Sequence, residues 1–273
     1  MKILKTIQEL QLARKELQGS VGLVPTMGAL HRGHLSLIQQ SVLENDHTIV
    51  SIFVNPTQFL EGEDFDKYPK KEEADLKICE LAGVQIVFMP DISQMYASFE
   101  PTILAPSSKA YILEGLARPG HFDGVLRVVL KLFHLTNPHR AYFGKKDAQQ
   151  LYLIQNMVKS LFMDIIITPC EIVREDDGLA LSSRNIYLSP KEREEALLIS
   201  KSLKIATQLI MAGERDIETI QHAMHQTLLP LNTEYVQILN RDFDTISHLE
   251  IGNSLILVCA KVGTTRLIDN LWI

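Results

Sequence analysis

The sequence of 273 residues has few cysteines and no long apolar run, and each absence excludes a class of protein. Its three cysteines, Cys79, Cys170 and Cys259, are far apart and lack CxxC spacing, so we expect buried thiols rather than disulfides or metal ligands. No segment approaches the roughly 20 apolar residues of a membrane-spanning helix, and the N-terminal stretch lacks the apolar run of a signal peptide. These absences predict a cytoplasmic protein without a membrane partner.

The sequence also lacks an excess of basic residues, internal repeats and low-complexity tracts. It has 27 Lys and Arg residues against 33 Asp and Glu residues, which gives a net charge of −6. This balance disfavours a large nucleic-acid interface, so we expect small-molecule ligands and no nucleic acid. A hydrophobic content of 46% is that of a globular protein, and the length allows two modest domains.

The stretch Val21–Ile38 reads as a buried strand, a glycine turn and a helix that begins near two histidines. Pro25 bounds the strand, and Gly28 allows a sharp turn or a close approach to a ligand. His31 and His34 lie in the first helical turn, where unpaired N–H groups and the helix dipole attract phosphate and favour neutral imidazoles. The stretch therefore suits a nucleoside triphosphate.

Two histidines three residues apart do not by themselves indicate a phosphate site. They could be partly buried side chains with partners inside the protein, or they could form half of a metal site. A zinc site would need further ligands at a recognisable spacing, and none is evident in the sequence. The phosphate interpretation gains from position, because open α/β sheets bind ligands beyond the carboxyl ends of their strands.

Strand-like runs alternate with helical stretches as far as Cys170, and this alternation predicts a doubly wound, Rossmann-like parallel sheet. The composition of the chain changes after residue 174. Ser189 and Glu192 then form a capping box that begins a long helix. One further helix and three strands follow this long helix, which predicts a smaller α+β domain with an antiparallel sheet. We therefore expect an α/β nucleotide-binding domain at 1–174 and a C-terminal α+β domain at 175–273.

Three further segments combine polar side chains with turns. Asn55 and Gln58 follow a second buried strand, and their neutral amides suit a hydroxy acid, although Asn-Pro is also a common turn. Lys146 follows the strand–glycine pattern at Gly144 and could bind phosphate, although exposed lysines usually have no such role. Asp147 could hold a ribose or simply begin a helix.

Two arginine segments are also ambiguous. Arg118 lies in the segment RPGHFDGV, where it could be a surface charge, and His121 could be a core residue. The segment Ser182–Asn185 joins two hydroxyl groups to an arginine, a combination that can grip phosphate oxygens but also occurs often by chance.

Taken together, these motifs resemble the pantothenate synthetase family. The stretch PTMGALHRGH at 25–34 resembles that family's variant of the HxGH motif, and VNPTQF, RPGHFDGV, FGKKDAQQ and GLALSSRN follow in the family's order. The resemblance spans nearly the whole chain. The chain departs from the family pattern at Lys145, Ala148 and Leu181, so no side-chain role is carried over for the first two.

The resemblance implies ATP contacts and a catalytic His34 that assists phosphate departure, with His31, Lys146 and Arg184 as further donors. It implies that Gln58 contacts pantoate and β-alanine and that Gln150 contacts pantoate, and it adds Tyr68 as a wall of the site beside Asn55 and Arg118. The ATP-binding residues expected from it are Met27, Gly28, Ala29, Leu30, His31, Arg32, Gly33, His34, Gly144, Lys145, Lys146, Asp147, Val173, Leu181, Ser182, Ser183 and Arg184.

The implied activity is the condensation of pantoate with β-alanine through a pantoyl adenylate, which uses ATP and Mg²⁺ and releases AMP and pyrophosphate. We expect no protein cage for the metal, and the resemblance implies a homodimer. The rival interpretations are a nucleotidylyltransferase of the same superfamily, a tRNA-charging enzyme that would need a basic surface, and a nucleotide-binding scaffold without turnover.

Overall fold

Six short strands form one parallel sheet in the first part of the chain. A computed structural model describes residues 1–273 and gives the bounds β1 Lys2–Leu4, β2 Val21–Thr26, β3 His47–Ile52, β4 Ile86–Phe88, β5 Arg140–Gly144 and β6 Ile166–Cys170. Every neighbouring pair is parallel, in the order β1-β4-β3-β2-β5-β6. The central strands β2 and β3 are almost entirely buried, as expected for parallel strands covered on both faces.

Helices connect these strands, and the apolar faces of the longer ones pack onto the sheet. Ile38, Val50 and Val87 are fully buried in one cluster on the sheet. The helices are α1 Ile7–Glu16, α2 Arg32–Glu44, α3 Glu72–Leu81, α4 Ile92–Met95, α5 Ser107–Ala110, α6 Leu113–Ala117, α7 His121–Thr136 and α8 Ala148–Ser160.

The sequence prediction misses short elements and misplaces some ends. The prolines and glycines of the segment 100–120 predict a loop for most of its length, which is correct, but the two short helices α5 and α6 within it are missed. The sixth strand is expected at 164–168, but β6 begins at Ile166 and includes Pro169, which pairs with Phe143. A proline is tolerated there because β6 is an edge strand with one unpaired side.

The strand order places a topological switch point between β2 and β5. From β2 the chain proceeds to β3 and β4 on one side, whereas β5 and β6 lie on the other side. The loops after β2 and β5 therefore leave the same edge of the sheet from adjacent strands. Ligands bind at such a crevice in doubly wound sheets, so the expected location of the site at the first βα turn agrees with the topology.

The second part of the chain forms an antiparallel sheet with two long helices. Its core includes Ile199, Ile220, Met224 and Val258, all of which are buried. Ser189 caps the longer helix through the predicted capping box with Glu192. The elements are α9 Pro190–Met211, α10 Ile217–Leu228, β7 Asn232–Asn240, β8 Ser254–Val262 and β9 Thr265–Trp272.

The chain divides into two units that correspond to these two sheets. Unit 1 comprises Met1–Lys145 and Gln149–Glu171, and unit 2 comprises Lys146–Ala148 and Ile172–Ile273. The α/β fold class with a smaller C-terminal α+β part is confirmed. The division at residue 171 lies three residues before the predicted boundary at 174. No helix in the chain has both the length and the apolar character needed to cross a membrane.

Candidate active site

The loop after β2 is fixed by hydrogen bonds from its backbone to the side chains of Asp75 and Thr26. Gly28 has φ +84°, and a Cβ built there would lie 3.0 Å from Oδ2 of Asp75. The Asp75 carboxylate accepts hydrogen bonds from the N–H groups of Ala29 at 2.8 Å and Leu30 at 2.7 Å, and Thr26 Oγ1 accepts from the N–H of Gly28 at 3.3 Å. These three backbone donors therefore bind oxygens of the protein itself.

Asp75 is an unexpected part of the site, because helix α3 reads as a structural, charged helix in the sequence. The residue is only 2% exposed, and burial raises the pKa of its carboxyl group despite the opposing hydrogen bonds from Leu30 and Ala29. An acidic residue in a charged helix gives no sign in sequence that it faces inward. The structure identifies it as the acceptor that fixes the loop.

The two histidines cap helix α2 with their Nδ1 atoms. His31 is the N-cap residue, and its Nδ1 accepts a hydrogen bond from the N–H of Gly33 at 3.1 Å. His34 Nδ1 accepts from the N–H of His31 at 3.4 Å, and the ring centroids lie 4.1 Å apart. Because both Nδ1 atoms accept from backbone donors, each neutral imidazole carries its proton on Nε2. The capping geometry thus makes both rings Nε2–H donors.

Asn55 and Gln58 lie in a short 3₁₀ turn, Pro56–Gln58, that follows β3. Asn55 is 1% exposed, and its side chain bonds to Gln58 Oε1 at 3.0 Å, to the carbonyl of Gly124 at 3.1 Å and to the hydroxyl of Tyr96 at 2.6 Å. Gln58 Nε2 approaches Met27 Sδ at 3.1 Å. The predicted residues Met27 and Gln58 are therefore in direct contact.

Arg118 forms a bidentate ion pair with Glu63, at 2.6 and 2.7 Å. It also bonds to the carbonyl oxygen of Gln58 at 3.2 Å and to His121 Nε2 at 3.1 Å. Burial alone would raise the pKa of Glu63, but the hydrogen bonds from Arg118 and Leu60 bring it below its usual value. The guanidinium group thus supports the segment that carries Gln58.

His121 joins the same group from the start of helix α7. Its Nδ1 lies 2.7 Å from the carbonyl oxygen of Gln58, which can only accept, so Nδ1 carries the proton and Nε2 accepts from Arg118. Burial, and after it the charge of Arg118, lowers the pKa of His121 to about 4. His121 is therefore a neutral, buried residue, as its core interpretation predicts. Tyr68 is also buried, edge-on to Phe59 at 5.9 Å.

The loop after β5 is arranged differently from the loop after β2. A Cβ at Gly144 would meet nothing within 4 Å. Lys145 forms an ion pair with Glu171. In unit 2, Lys146 Nζ lies 3.9 Å from Asp147, beyond hydrogen-bonding distance, and the Lys146 carbonyl accepts from Asn270 at 2.7 Å. Of the two adjacent lysines, Lys145 therefore forms a close ion pair, with Glu171 after β6, whereas Lys146 lies farther from its acidic neighbour Asp147.

Gln149 and Gln150 are adjacent in α8 but have different environments. The Gln149 side chain is 4% exposed and bonds to three backbone groups, of Lys109, Ile112 and Glu114. Gln150 is partly buried, and no hydrogen bond of its side chain is observed. Gln149 therefore supports the 109–114 segment, whereas contact of Gln150 with a ligand stays a prediction.

In unit 2, the expected nucleotide segment is a short hairpin. The N–H of Leu181 donates to the carbonyl of Val173 at 3.0 Å, and Arg174 forms a bidentate pair with the buried Asp269 at 2.6 and 2.9 Å. Ser182 then caps a 3₁₀ turn, Ser183–Tyr187, by accepting from the N–H of Arg184 at 3.3 Å. The hairpin fixes the backbone on which the predicted Ser-Ser-Arg group lies.

Comparisons with known proteins identify the family of the chain. A sequence profile of the family described as Pantoate-beta-alanine ligase matches residues 2–272. The chain belongs to the pantoate-beta-alanine ligase family. The resemblance predicted from the motifs is thereby confirmed, and the chain is an enzyme, a ligase that joins pantoate to β-alanine.

Pantoate-beta-alanine ligases are similar to the chain over its full length. A pantothenate synthetase from Aliarcobacter butzleri is 60% identical over 273 residues, which is all of both chains. The crystal structure of pantothenate synthetase from Thermus thermophilus matches with a TM-score of 0.94 and 38% identity, covering 99% of each chain. A pantoate-beta-alanine ligase from Francisella tularensis, described as complexed with beta-gamma ATP and beta-alanine, matches with a TM-score of 0.83 and 36% identity, covering 100% of this chain and 97% of that one.

Proposed function

We propose that the chain activates pantoate with ATP and then transfers the pantoyl group to β-alanine. A pantoate carboxylate oxygen attacks the α-phosphorus, the bond to the bridging oxygen breaks, and pyrophosphate leaves. The β-alanine amine then attacks the acyl carbon of the pantoyl adenylate, AMP leaves, and the amine loses a proton to solvent. No residue of the enzyme becomes covalently attached, so rate enhancement depends on alignment and on donors directed at developing charge.

The observation that supports this proposal most strongly is the tautomer of the two histidines. Nε2–H donors at the N-terminus of α2 suit phosphate oxygens whose negative charge grows as pyrophosphate leaves. We assign this role to His34 and His31, and we assign the cationic contribution to Lys146 and Arg184 of unit 2. In this proposal Asp147 holds the ribose.

The remaining contacts follow the family's motifs. We propose that Gln58 and Gln150 bind pantoate, because neutral amides can pair with its carboxylate and hydroxyl groups without adding charge next to ATP. Asn55, Tyr68 and Arg118 stay predicted parts of the substrate site. The proposed ATP contacts are Met27, Gly28, Ala29, Leu30, His31, Arg32, Gly33, His34, Gly144, Lys145, Lys146, Asp147, Val173, Leu181, Ser182, Ser183 and Arg184.

The residues present do not form a cage for Mg²⁺. No group of three His, Cys, Asp or Glu side chains is arranged to hold a metal ion. Among the proposed ATP-binding residues only Asp147 is a carboxylate, and Mg²⁺ prefers oxygen ligands. We propose that Mg²⁺ enters the site on the phosphate oxygens of ATP and keeps water as its other ligands.

Product analysis tests the proposed reaction. With ATP, Mg²⁺ and pantoate, the enzyme should release pyrophosphate and retain an acyl adenylate, and added β-alanine should then give AMP and pantothenate in equal amounts. A nucleotidylyltransferase would instead leave the nucleotide on its product. Pyrophosphate release that does not depend on pantoate would contradict the proposal.

We also propose a cytoplasmic homodimer, by analogy with the family. Light scattering at micromolar protein concentration should give about twice the chain mass of 30.8 kDa. A monomer under these conditions would contradict the dimer without affecting the proposed reaction.

A further inference from the structure

The amide group of Gln58 has two chemically different ends, and only one end can face a ligand in a given orientation. Its oxygen accepts and its NH₂ group donates, so the orientation decides which chemical group of a ligand is favoured. Gln58 Oε1 accepts from Asn55 Nδ2 at 3.0 Å, which directs Nε2 toward Met27. What holds the glutamine in this orientation is the side chain of Asn55.

Two backbone groups fix the orientation of Asn55. The carbonyl of Gly124 can only accept, so the Asn55 atom at 3.1 Å from it must be the NH₂ nitrogen. The N–H of Thr57 can only donate, so the Asn55 atom at 3.3 Å from it must be the oxygen. Reversal of the Asn55 amide would break both hydrogen bonds at a site that is 1% exposed.

Tyr96 also favours this orientation of the Asn55 amide, because it donates a hydrogen bond to the amide oxygen. Its hydroxyl donates to Asn55 Oδ1 at 2.6 Å, and its ring lies 4.8 Å from the cationic groups of both Arg127 and Lys131. Burial raises the pKa of Tyr96, so the hydroxyl remains a donor. The order of hydrogen bonds is therefore Tyr96 to Asn55 and Asn55 to Gln58.

We propose that Asn55 is a positioning residue which fixes Gln58 so that its N–H groups, and not its oxygen, face the pantoate carboxylate. Met27 Sδ is a weak acceptor, and a carboxylate oxygen can replace it at Gln58 Nε2. The site then selects an acceptor group at this position. This inference rests on the proposed binding of pantoate by Gln58.

A pair of ligands tests the polarity directly. Pantoate and its primary amide, pantoamide, have similar shapes, but the amide presents a donor where the acid has only acceptors. Calorimetry without ATP should show that Asn55→Ala weakens pantoate about tenfold and pantoamide less than about threefold, because the released Gln58 can turn its oxygen toward the amide. Equal weakening of both ligands would contradict the proposal.

A double-mutant cycle separates positioning from direct contact. The quantity measured is kcat/KM for pantoate in Asn55→Ala, Gln58→Ala and the double variant. If Asn55 acts through Gln58, its replacement should cost less than about threefold once Gln58 is alanine. Additive losses would mean that Asn55 contacts the substrate itself, and the positioning role would be wrong.

Tyr96→Phe gives a milder variant in case Asn55→Ala does not fold. It removes one donor to Asn55 and keeps the ring beside Arg127 and Lys131, so we expect kcat/KM for pantoate to fall about threefold with KM for ATP unchanged. Tyr111→Phe is the matched control, because Tyr111 donates to Asp123 at 3.2 Å near the surface. Equal kinetics for Tyr96→Phe and Tyr111→Phe would contradict the chain of hydrogen bonds.

These outcomes are separable from failure of the proposed function. If the native enzyme formed no pantothenate, the proposed reaction itself would be wrong. If it formed pantothenate but Asn55→Ala kept the native preference for pantoate over pantoamide, only the polarity proposal would be wrong.

Discussion

The two strand–glycine–helix junctions at the switch point share a sequence plan but differ in physical constraint. After β2, Gly28 has positive φ and its loop N–H groups bind Asp75 and Thr26. After β5, Gly144 has negative φ and open space around the position of a Cβ. The protein itself requires the first glycine, whereas only a ligand would require the second.

The same strand–glycine–helix motif therefore has different internal contacts at its two occurrences. In the first junction the N–H groups of Gly28, Ala29 and Leu30 bind protein oxygens, so the proposed phosphate donors are side chains. In the second junction Lys145 pairs with Glu171, and the side chain of Lys146 lies 3.9 Å from Asp147. We expect substitutions at the first junction to affect both stability and catalysis, and those at the second to affect ligands alone.

The largest expected effect is the loss of a phosphate donor from either junction. His34→Ala and Lys146→Ala should each slow adenylate formation about 10²–10³-fold with smaller changes in ATP binding, because these contacts strengthen as charge develops. Single-turnover pyrophosphate release measures the rate. Lys145→Ala is the matched control and should have a much smaller effect, since Lys145 pairs with Glu171. Unchanged rates in either test variant would remove that residue from the mechanism.

Asp75→Asn should disrupt the hydrogen bonds that fix the backbone of the first junction at Ala29 and Leu30. The carboxamide keeps one acceptor and places an NH₂ group against a backbone donor, at a cost of about 1–3 kcal/mol in the free energy of unfolding. Denaturant unfolding and KM for ATP should both change. Glu80→Gln, on the exposed side of the same helix, is the control. Native stability in Asp75→Asn would show that the loop does not depend on the carboxylate.

The two glycines can be compared directly by alanine substitution. Gly28→Ala should lower the free energy of unfolding by about 1–2 kcal/mol, because an L-residue is strained at positive φ. Gly144→Ala should leave stability within about 0.5 kcal/mol, as expected of an uncrowded position. If Gly144→Ala raises KM for ATP without loss of stability, the second glycine serves the ligand. Similar destabilisation by both substitutions would show that the fold requires both glycines equally.

The smallest expected effect separates the adjacent glutamines of α8. Gln150→Ala should weaken pantoate up to about tenfold and leave ATP binding unchanged, because it removes an amide donor directed at pantoate. Gln149→Ala should instead lower the melting temperature, since it removes three hydrogen bonds to the backbone. Titration calorimetry and thermal unfolding measure these outcomes. An ATP defect alone in Gln150→Ala would contradict the assignment.

The fold is largely predictable because its signals are local. Alternating apolar strands and helices indicate the parallel sheet, and the capping box of Ser189 and Glu192 indicates the start of α9. Short elements such as β1 and α5 escape prediction, because three or four residues carry too little periodicity. The edge position that allows Pro169 within β6 depends on strand order, which no local pattern contains.

The candidate site is predictable in its motifs but not in its support. His31, His34 and Gln58 lie in recognisable segments, whereas the roles of Asp75 and Tyr96 depend on contacts over 41 to 46 residues. Motif spacing also cannot give the histidine tautomers, because these depend on which backbone donors the Nδ1 atoms accept. The roles of these residues toward substrates stay predictions until ligands are measured.

The buried His121 makes the free energy of unfolding depend on pH. Its pKa of about 4 in the folded protein lies below the ordinary 6.5, because burial and then the charge of Arg118 disfavour the imidazolium. Between these values the unfolded chain binds more protons, so stability rises with pH and is lost as the solution falls from 6.5 toward 4. His121→Gln retains a donor and an acceptor without this titration, and unfolding at several pH values should show a flatter acid side. The residue that supports Gln58 therefore helps to set the lower pH at which the enzyme stays folded.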